Sequence, residues 1–179
     1  MATAEDCALA LAHLYLPSLT SLCILIVSDF PNSSVVQELL PYVTQHAHGP
    51  QDIQPFRSVL LHKGDDYTEI LAWPVPDIDL EVHNPPSLLA AILPPRLEVS
   101  FVGDRWTSSN ARLELLDSVM AGLPLDDLVT LVAQDLGGYN HNPRDFSTQQ
   151  FWSHVSPKWP LLQRVRLGPP VERGFIEMC

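Results

Sequence analysis

The sequence predicts a single α/β domain in which short strands and helices recur as long repeats stacked into a solenoid. Three observations support this prediction. The chain has 179 residues, enough for one core and too few for two ordinary domains. Hydrophobic residues make up 46% of it and charged residues 17%, so the chain can bury a core. A short apolar pattern also recurs at intervals that suit a solenoid.

Each repeat begins with a large apolar residue and a proline, and two apolar residues one position apart follow after four variable residues. Repeats begin near Leu16, Leu93, Leu123 and Trp159, and a degenerate copy with a displaced proline begins near Ile53. The units are spaced by about 30 to 40 residues, a period found in solenoid proteins. Residues 1–179 are therefore predicted to form one repeat domain.

Each unit is predicted to contain a strand and a helix. Apolar residues at period two fall on one side of a strand, so the paired apolar residues predict short strands with one buried face, most clearly at Leu22–Val27 and Leu97–Val102. Helices closed by the next proline are predicted between the strands, at residues 33–40, 85–92, 109–122 and 147–153. This is the leucine-rich-repeat plan in its long form, a curved stack of parallel strands with helices outside.

One segment, about residues 57–83, departs from the repeat plan. Residues 57–62 and 67–73 are two strand-like runs joined by Lys63-Gly64-Asp65-Asp66, which predicts a β-hairpin. Residues 78–82 then alternate strictly between acidic and apolar types. We interpret the segment as an antiparallel insertion between the second and third repeats. A single α/β sandwich is the alternative architecture for the same elements.

Four stretches resemble the leucine-rich-repeat portion of F-box-type proteins of mushroom-forming fungi: PDIDLEVH at 76–83, MAGLPL at 120–125, FWSH at 151–154 and WPLLQRVRL at 159–167. The resemblance covers most of the chain. It implies target recognition for a ubiquitin ligase, in which an amino-terminal F-box docks on the cullin adaptor and the repeats hold the target. No F-box pattern precedes Leu16, so docking on the adaptor is not expected of this chain.

Charge and cysteine content restrict the partners and the compartment. Ten Lys and Arg residues against 21 Asp and Glu residues give a formal net charge of -11, which argues against nucleic acid as a partner. Three cysteines without a CxxC pair predict no disulfide framework and suit a reducing compartment, the cytoplasm or the nucleus. The uncharged residues 7–27 include His13 and Pro17 and lack a flanking positive charge, so neither a membrane span nor a signal peptide is expected.

The sequence carries no motif for catalysis or for a cofactor. It has no nucleophile elbow, no HExxH, no phosphate-binding loop and no dinucleotide fingerprint, so we predict no enzyme, no catalytic residue and no cofactor. Residues 46–48 hold two histidines in an expected loop after a helix-ending Pro41, without a third metal ligand. The alternating acidic residues of 77–81 are interpreted as a solvated strand edge, and Cys23 as a packed or half-exposed apolar residue.

The predicted function is protein binding through the strand face that the repeat helices leave uncovered, aided by loops. Residues 1–56 contain no Lys or Arg, whereas residues 144–179 carry five basic and three acidic residues. Arg164 and Arg166 are predicted either to bind an acidic segment or to form a solvated, ion-paired face. A small α/β enzyme with a site built from loops and an inactive repeat fragment are the alternatives. The candidate contact residues are Glu98, Ser100, Trp106, Thr130, Tyr139, His141, Arg164 and Arg166.

Overall fold

A computed structural model of the chain describes residues 4–13, 21–27, 33–48, 54–64, 67–76, 93–102, 109–135, 152–153 and 156–168. The helices in these ranges are α1 (Ala4–His13), α2 (Ser33–His48) and α3 (Ser109–Gly122), with a 3-10 turn at Ser156–Lys158. The strands are β1 (Leu22–Val27), β2 (Ser58–Lys63), β3 (Tyr67–Trp73), β4 (Leu97–Val102), β5 (Thr130–Asp135) and β6 (Arg164–Leu167).

The described strands form one open, mixed sheet in the order β1-β4-β3-β2-β5-β6. Strand β3 runs antiparallel to both of its neighbours, whereas β1 with β4, β2 with β5, and β5 with β6 are parallel pairs. All strands except β3 therefore point the same way, and their carboxyl ends meet at one edge of the sheet. The predicted α/β class is confirmed.

The strand order bears on the predicted solenoid. Stacked repeats bring strands that follow one another along the chain side by side. In the described sheet β1 lies beside β4, and β2 lies beside β5, so these two pairings join strands that are distant in sequence. The described residues show a mixed sheet, and its arrangement as a repeat solenoid stays a prediction.

The predicted hairpin is confirmed as the antiparallel pair of β2 and β3. The Gly64 N–H donates to the carbonyl of Tyr67 at 3.0 Å and closes the turn. A Cβ on Gly64 would overlap the Tyr67 ring, which explains why glycine stands there. The hairpin lies in the middle of the sheet, between β4 and β5. The predicted strand at 78–82 lies outside the described residues.

Helix α2 is longer than the sequence predicts. The expectation that Pro41 ends the helix, with residues 46–48 in a loop, is wrong, because α2 continues to His48. Proline forfeits one hydrogen bond of the helix, but packing holds the following turn in place. Val43 is 4% exposed in the core, and the Thr44 hydroxyl donates to the Gly122 carbonyl at 2.5 Å.

Of the other three predicted helices, one is confirmed in full, one is described in part and one lies outside the described residues. Helix α3 spans the predicted residues, Ser109–Gly122. Of the predicted helix at 147–153 the structure describes 152–153, which are helical, and the predicted helix at 85–92 lies outside the described residues.

The main core lies between the sheet and the helices. Alternate strand residues such as Val59, Ile70 and Val99 point to this side, where Leu116 and Val119 of α3 cover them. Burying one such aliphatic side chain contributes about 1.5–3 kcal/mol. Of the ten paired apolar positions predicted to be buried, eight lie here, fully or partly buried: Leu22, Ile24, Val59, Leu61, Val99, Phe101, Leu131 and Leu167. Val129 is buried outside this cluster, and Val165 is half-buried.

Candidate functional site

The candidate site is the sheet face opposite the helices, because the sequence places the predicted contact residues there. Side chains alternate along a strand, so this face carries the residues between the core positions. In register across the sheet, one row is formed by Ser100, Glu69, His62 and Gln134, and the next by Cys23, Glu98, Leu71, Leu60, Val132 and Arg166.

The centre of this face is buried. Leu60, Leu71, Trp73 and Val132 form a second, smaller apolar cluster. The Trp73 indole N–H donates to the carbonyl of Leu93 at 2.9 Å, which holds the segment before β4 against the cluster. The face is therefore covered at its middle, unlike the open concave face of the predicted solenoid.

The segment after β3 covers the amino ends of β2 and β5. We call residues 74–76 the strap. The Ser58 hydroxyl donates to the Val75 carbonyl at 2.6 Å, and the Thr130 hydroxyl donates to the Pro76 carbonyl at 2.6 Å. Thr130 is 2% exposed, so its hydroxyl is engaged inside the protein.

A row of polar side chains crosses the sheet near the carboxyl ends of the parallel strands. The Ser100 hydroxyl donates to Glu69 Oε1 at 3.4 Å, and Glu69 Oε2 lies 3.5 Å from His62 Nδ1. Tyr67 Oη lies 3.4 Å from His62 Nε2, and the two rings meet edge to face. The sequence analysis missed this row; a histidine within the apolar run of β2 was the available signal.

The row does not have the geometry of a catalytic triad. Nucleophilic catalysis by serine needs a base within hydrogen-bond reach of the hydroxyl and a third group that orients the base. Here the Ser100 hydroxyl donates a hydrogen bond to Glu69 Oε1. The imidazole of His62 lies next to the other carboxylate oxygen, Oε2, and not next to the hydroxyl. Within the described residues no group of three His, Cys, Asp or Glu side chains is placed to hold a metal ion.

Cys23 occupies the exposed side of the edge strand β1, opposite Glu98 in the register. Burial first, and then the hydrogen bond and negative charge of Glu98, raise the pKa of the Cys23 thiol above its ordinary value. The thiolate, which is the reactive form, is therefore disfavoured. Cys23 is exposed, whereas the sequence predicted a packed or half-exposed residue; that it is not a nucleophile stays a prediction.

The predicted contact residues do not converge on one site. Arg164 is exposed and Arg166 half-buried on β6, at one end of the sheet. Glu98 is half-buried and Ser100 buried on β4, with three strands between them and β6. Thr130 is buried under the strap. The loop candidates Trp106, Tyr139 and His141 lie outside the described residues.

Strand β6 is the end strand of the described sheet. The backbone N–H groups of Arg164 and Gly168 donate to carbonyls of the β5 side, at Val129 and Ala133. In a parallel pair the residues that bond to the neighbour alternate with residues whose backbone groups point away. The N–H and C=O groups of Val165 and Leu167 therefore point to the outer edge, where the described part of the chain places no further strand.

A small cleft opens between the sheet and the helices. Side chains of β1, β4, α2 and α3 line it, and all of them are apolar. Binding sites for small molecules combine apolar walls with a few placed polar groups, and the lining of this cleft lacks them.

Comparison of the chain with protein-family models, with curated proteins and with solved structures finds no match. The resemblance to F-box-type proteins stays a prediction. Among the described residues, no helix combines the length and the apolar character needed to cross a membrane.

Proposed function

We propose that this protein is a non-enzymatic scaffold that binds an acidic, extended segment of another protein along the β6 edge. The observation that carries the proposal is a basic end strand in an acidic chain. Arg164 and Arg166 lie two residues apart on one face of β6, in a chain of formal net charge -11. Arginine is suited to this role because its planar guanidinium binds carboxylates through two hydrogen bonds.

Binding by strand addition would use both the backbone and the side chains of β6. An added strand pairs with the outward N–H and C=O groups of Val165 and Leu167, which supplies affinity without sequence preference. Acidic residues at every second position of that strand would lie on the face of Arg164 and Arg166. Each opposite-charge pair across two strands contributes about 0.2–1 kcal/mol. Leu161, 48% exposed just before β6, offers an apolar contact beside the edge.

The acidic character of the rest of the chain restricts where such a partner binds. Like charges repel an acidic segment from most of the surface, whereas the basic edge attracts it. These surface charges are screened by salt over about 8 Å at physiological ionic strength. Binding is therefore expected to weaken as salt concentration rises.

The bonding of Ser100 to Glu69, rather than to a histidine base, favours the scaffold over a small enzyme. The finer form of the proposal is target recognition for a ubiquitin ligase by a leucine-rich-repeat solenoid. Its support is the four sequence stretches that resemble F-box-type proteins.

Affinity capture from a native lysate tests the proposal with matched charge changes. The test variant is Arg164→Glu with Arg166→Glu. The control is Arg57→Glu with Lys158→Glu, which changes the net charge equally at residues outside β6. It removes the ion pair of Lys158 with Asp117, worth about 0–1 kcal/mol. Circular dichroism first establishes that both variants are folded.

We expect a specific partner to bind the wild type and the control variant and to be lost with the test variant. Retention of the partner by the test variant, or equal loss from both variants, would contradict binding at the β6 edge.

A further inference from the structure

Arg96 is a buried arginine at the start of β4, far along the sheet from β6. Its backbone N–H donates to the Ala72 carbonyl at 3.0 Å, and its carbonyl accepts the Leu22 N–H at 2.9 Å. The backbone is thus held between β3 and β1. The residue as a whole is 8% exposed, which is rare for an arginine that has no ionic partner among the residues described.

The guanidinium of Arg96 is held by one hydrogen bond and one ring. Its Nη1 donates to the Gln54 carbonyl at 2.7 Å. Its Cζ lies 5.6 Å from the centroid of the Phe56 ring, within the range of a cation–π contact. These two contacts fix the orientation of the guanidinium before any ligand arrives.

The opposite edge of the same guanidinium has buried donors without acceptors. Nε and Nη2 of Arg96 are buried and make no hydrogen bond within the described part of the chain. A buried donor left without an acceptor destabilises the folded state, and more so when the group is charged. Burial lowers the pKa of Arg96 from its ordinary value. Among the described residues, no carboxylate compensates the desolvated positive charge.

The site lies beneath two exposed segments. The first segment is Gln54 and Pro55, both exposed, and the Gln54 carbonyl is the one that contacts the guanidinium. The second is Leu93 and Pro94, which are exposed and precede Arg96 in the chain. The indole of Trp73 holds the second segment through the Leu93 carbonyl. A ligand can therefore reach the guanidinium where Leu93 and Pro94 move aside, with Gln54 and the strands of the sheet left in place.

We propose that Arg96 anchors a binding site for a carboxylate, with Nε and Nη2 donating to its two oxygens. These two nitrogens form the planar fork that matches a carboxylate in a bidentate pair. The apolar surroundings, including Phe56, favour a singly charged carboxylate over a phosphate dianion, because desolvating the second charge costs more. The site is separate from the β6 edge and does not depend on the proposed function.

Titration of the folded chain with sodium acetate at constant ionic strength tests this site. A ligand present at ten times its dissociation constant, and bound only to the native state, raises the melting temperature of a domain of this size by about 3–6 °C. We expect a saturable rise with acetate and a smaller one with phosphate. The NMR signal of the Arg96 Nε–H is expected to shift in parallel with the rise.

Two variants locate the effect. Arg96→Lys keeps the charge and loses the fork, so the response to acetate should disappear. Arg57→Lys makes the same change at a nearby exposed arginine and should leave the response intact. An equal response in wild type and Arg96→Lys would overturn the proposal. If Arg96→Lys does not fold, the NMR titration of the wild type is sufficient as a test. An Arg96 Nε–H signal that does not shift with acetate would also overturn the proposal.

A second pair of probes identifies the source of the carboxylate. One is an N-acetylated tripeptide of glycine and alanine with a free carboxyl terminus, and the other is the same peptide with a terminal amide. Binding of the free acid at least tenfold tighter than acetate assigns the site to a peptide terminus. Equal affinity of the free acid and acetate assigns it to a small carboxylate. Equal binding of acid and amide contradicts recognition of a carboxylate.

Discussion

Replacing Thr130 by valine tests whether the strap covers the sheet. The substitution keeps the shape of the side chain and removes the hydroxyl that donates to the Pro76 carbonyl at 2.6 Å. Thr130 is 2% exposed, so water does not replace the lost donor. An intramolecular hydrogen bond contributes about 0.5–1.5 kcal/mol, and an unsatisfied buried partner adds to the loss. We expect the free energy of unfolding to fall by about 1–2 kcal/mol.

The assay is urea unfolding followed by circular dichroism, together with thermal melting. For a domain of this size, 1 kcal/mol corresponds to about 2–4 °C, so the melting temperature should fall by about 2–8 °C. The urea midpoint should fall with an unchanged slope.

Thr130→Ser is the control, because it keeps the hydroxyl donor and loses a methyl group. An unchanged midpoint in Thr130→Val would refute the reasoning, since it would mean that this hydroxyl faces water. Equal destabilisation by serine and valine would also refute it, because the methyl group and not the hydrogen bond would then matter.

Two further predictions concern the hairpin and the edge strand β1. Gly64→Ala should lower the free energy of unfolding by about 1–3 kcal/mol, because the added Cβ overlaps the Tyr67 ring; an unchanged urea midpoint would contradict this. With the other two cysteines replaced by serine, Cys23 should react with iodoacetamide at pH 8 more slowly than free cysteine, because its raised pKa leaves less thiolate. Glu98→Gln should speed the reaction, because it removes the negative charge beside the thiol. An unchanged rate would contradict a contribution of Glu98 to the raised pKa of Cys23.

The elements that the sequence predicted well are those determined by neighbouring residues. Strands β1 and β4 follow from apolar residues at period two, and the end of helix α3 follows from the proline that opens the next repeat. The β2–β3 hairpin follows from the turn residues around Gly64. Each of these signals lies within a few residues of the element that it predicts.

The order of the strands depends on contacts between distant residues and left no such signal. The register that places Leu22 beside Leu97, and Leu60 beside Val132, joins segments far apart in the chain. The continuation of α2 beyond Pro41 also depends on tertiary packing, because Val43 is held in the core.

Some of the candidate site residues carried a local sequence signal, whereas the placement of others depends on contacts with distant residues. Arg164 and Arg166 were identified because they alternate with apolar residues in one short strand. Thr130 was expected on an open face because a threonine in a strand fits an exposed or a buried position equally well; only the strap decides between them. Arg96 carried no pattern at all, since a single arginine before a strand resembles any surface arginine until its burial is known.

An NMR titration of the isotopically labelled chain with an acidic strand-forming peptide tests the central claim most directly. The peptide is a blocked octapeptide in which glutamate and valine alternate, and its control has glutamine in place of glutamate. The account predicts that the acidic peptide shifts the amide signals of Val165 and Leu167, whose backbone groups point to the outer edge of the described sheet. Arg164→Glu with Arg166→Glu should abolish these shifts. Shifts that are the same for both peptides, or that are absent from β6, would contradict recognition of an acidic segment at this edge.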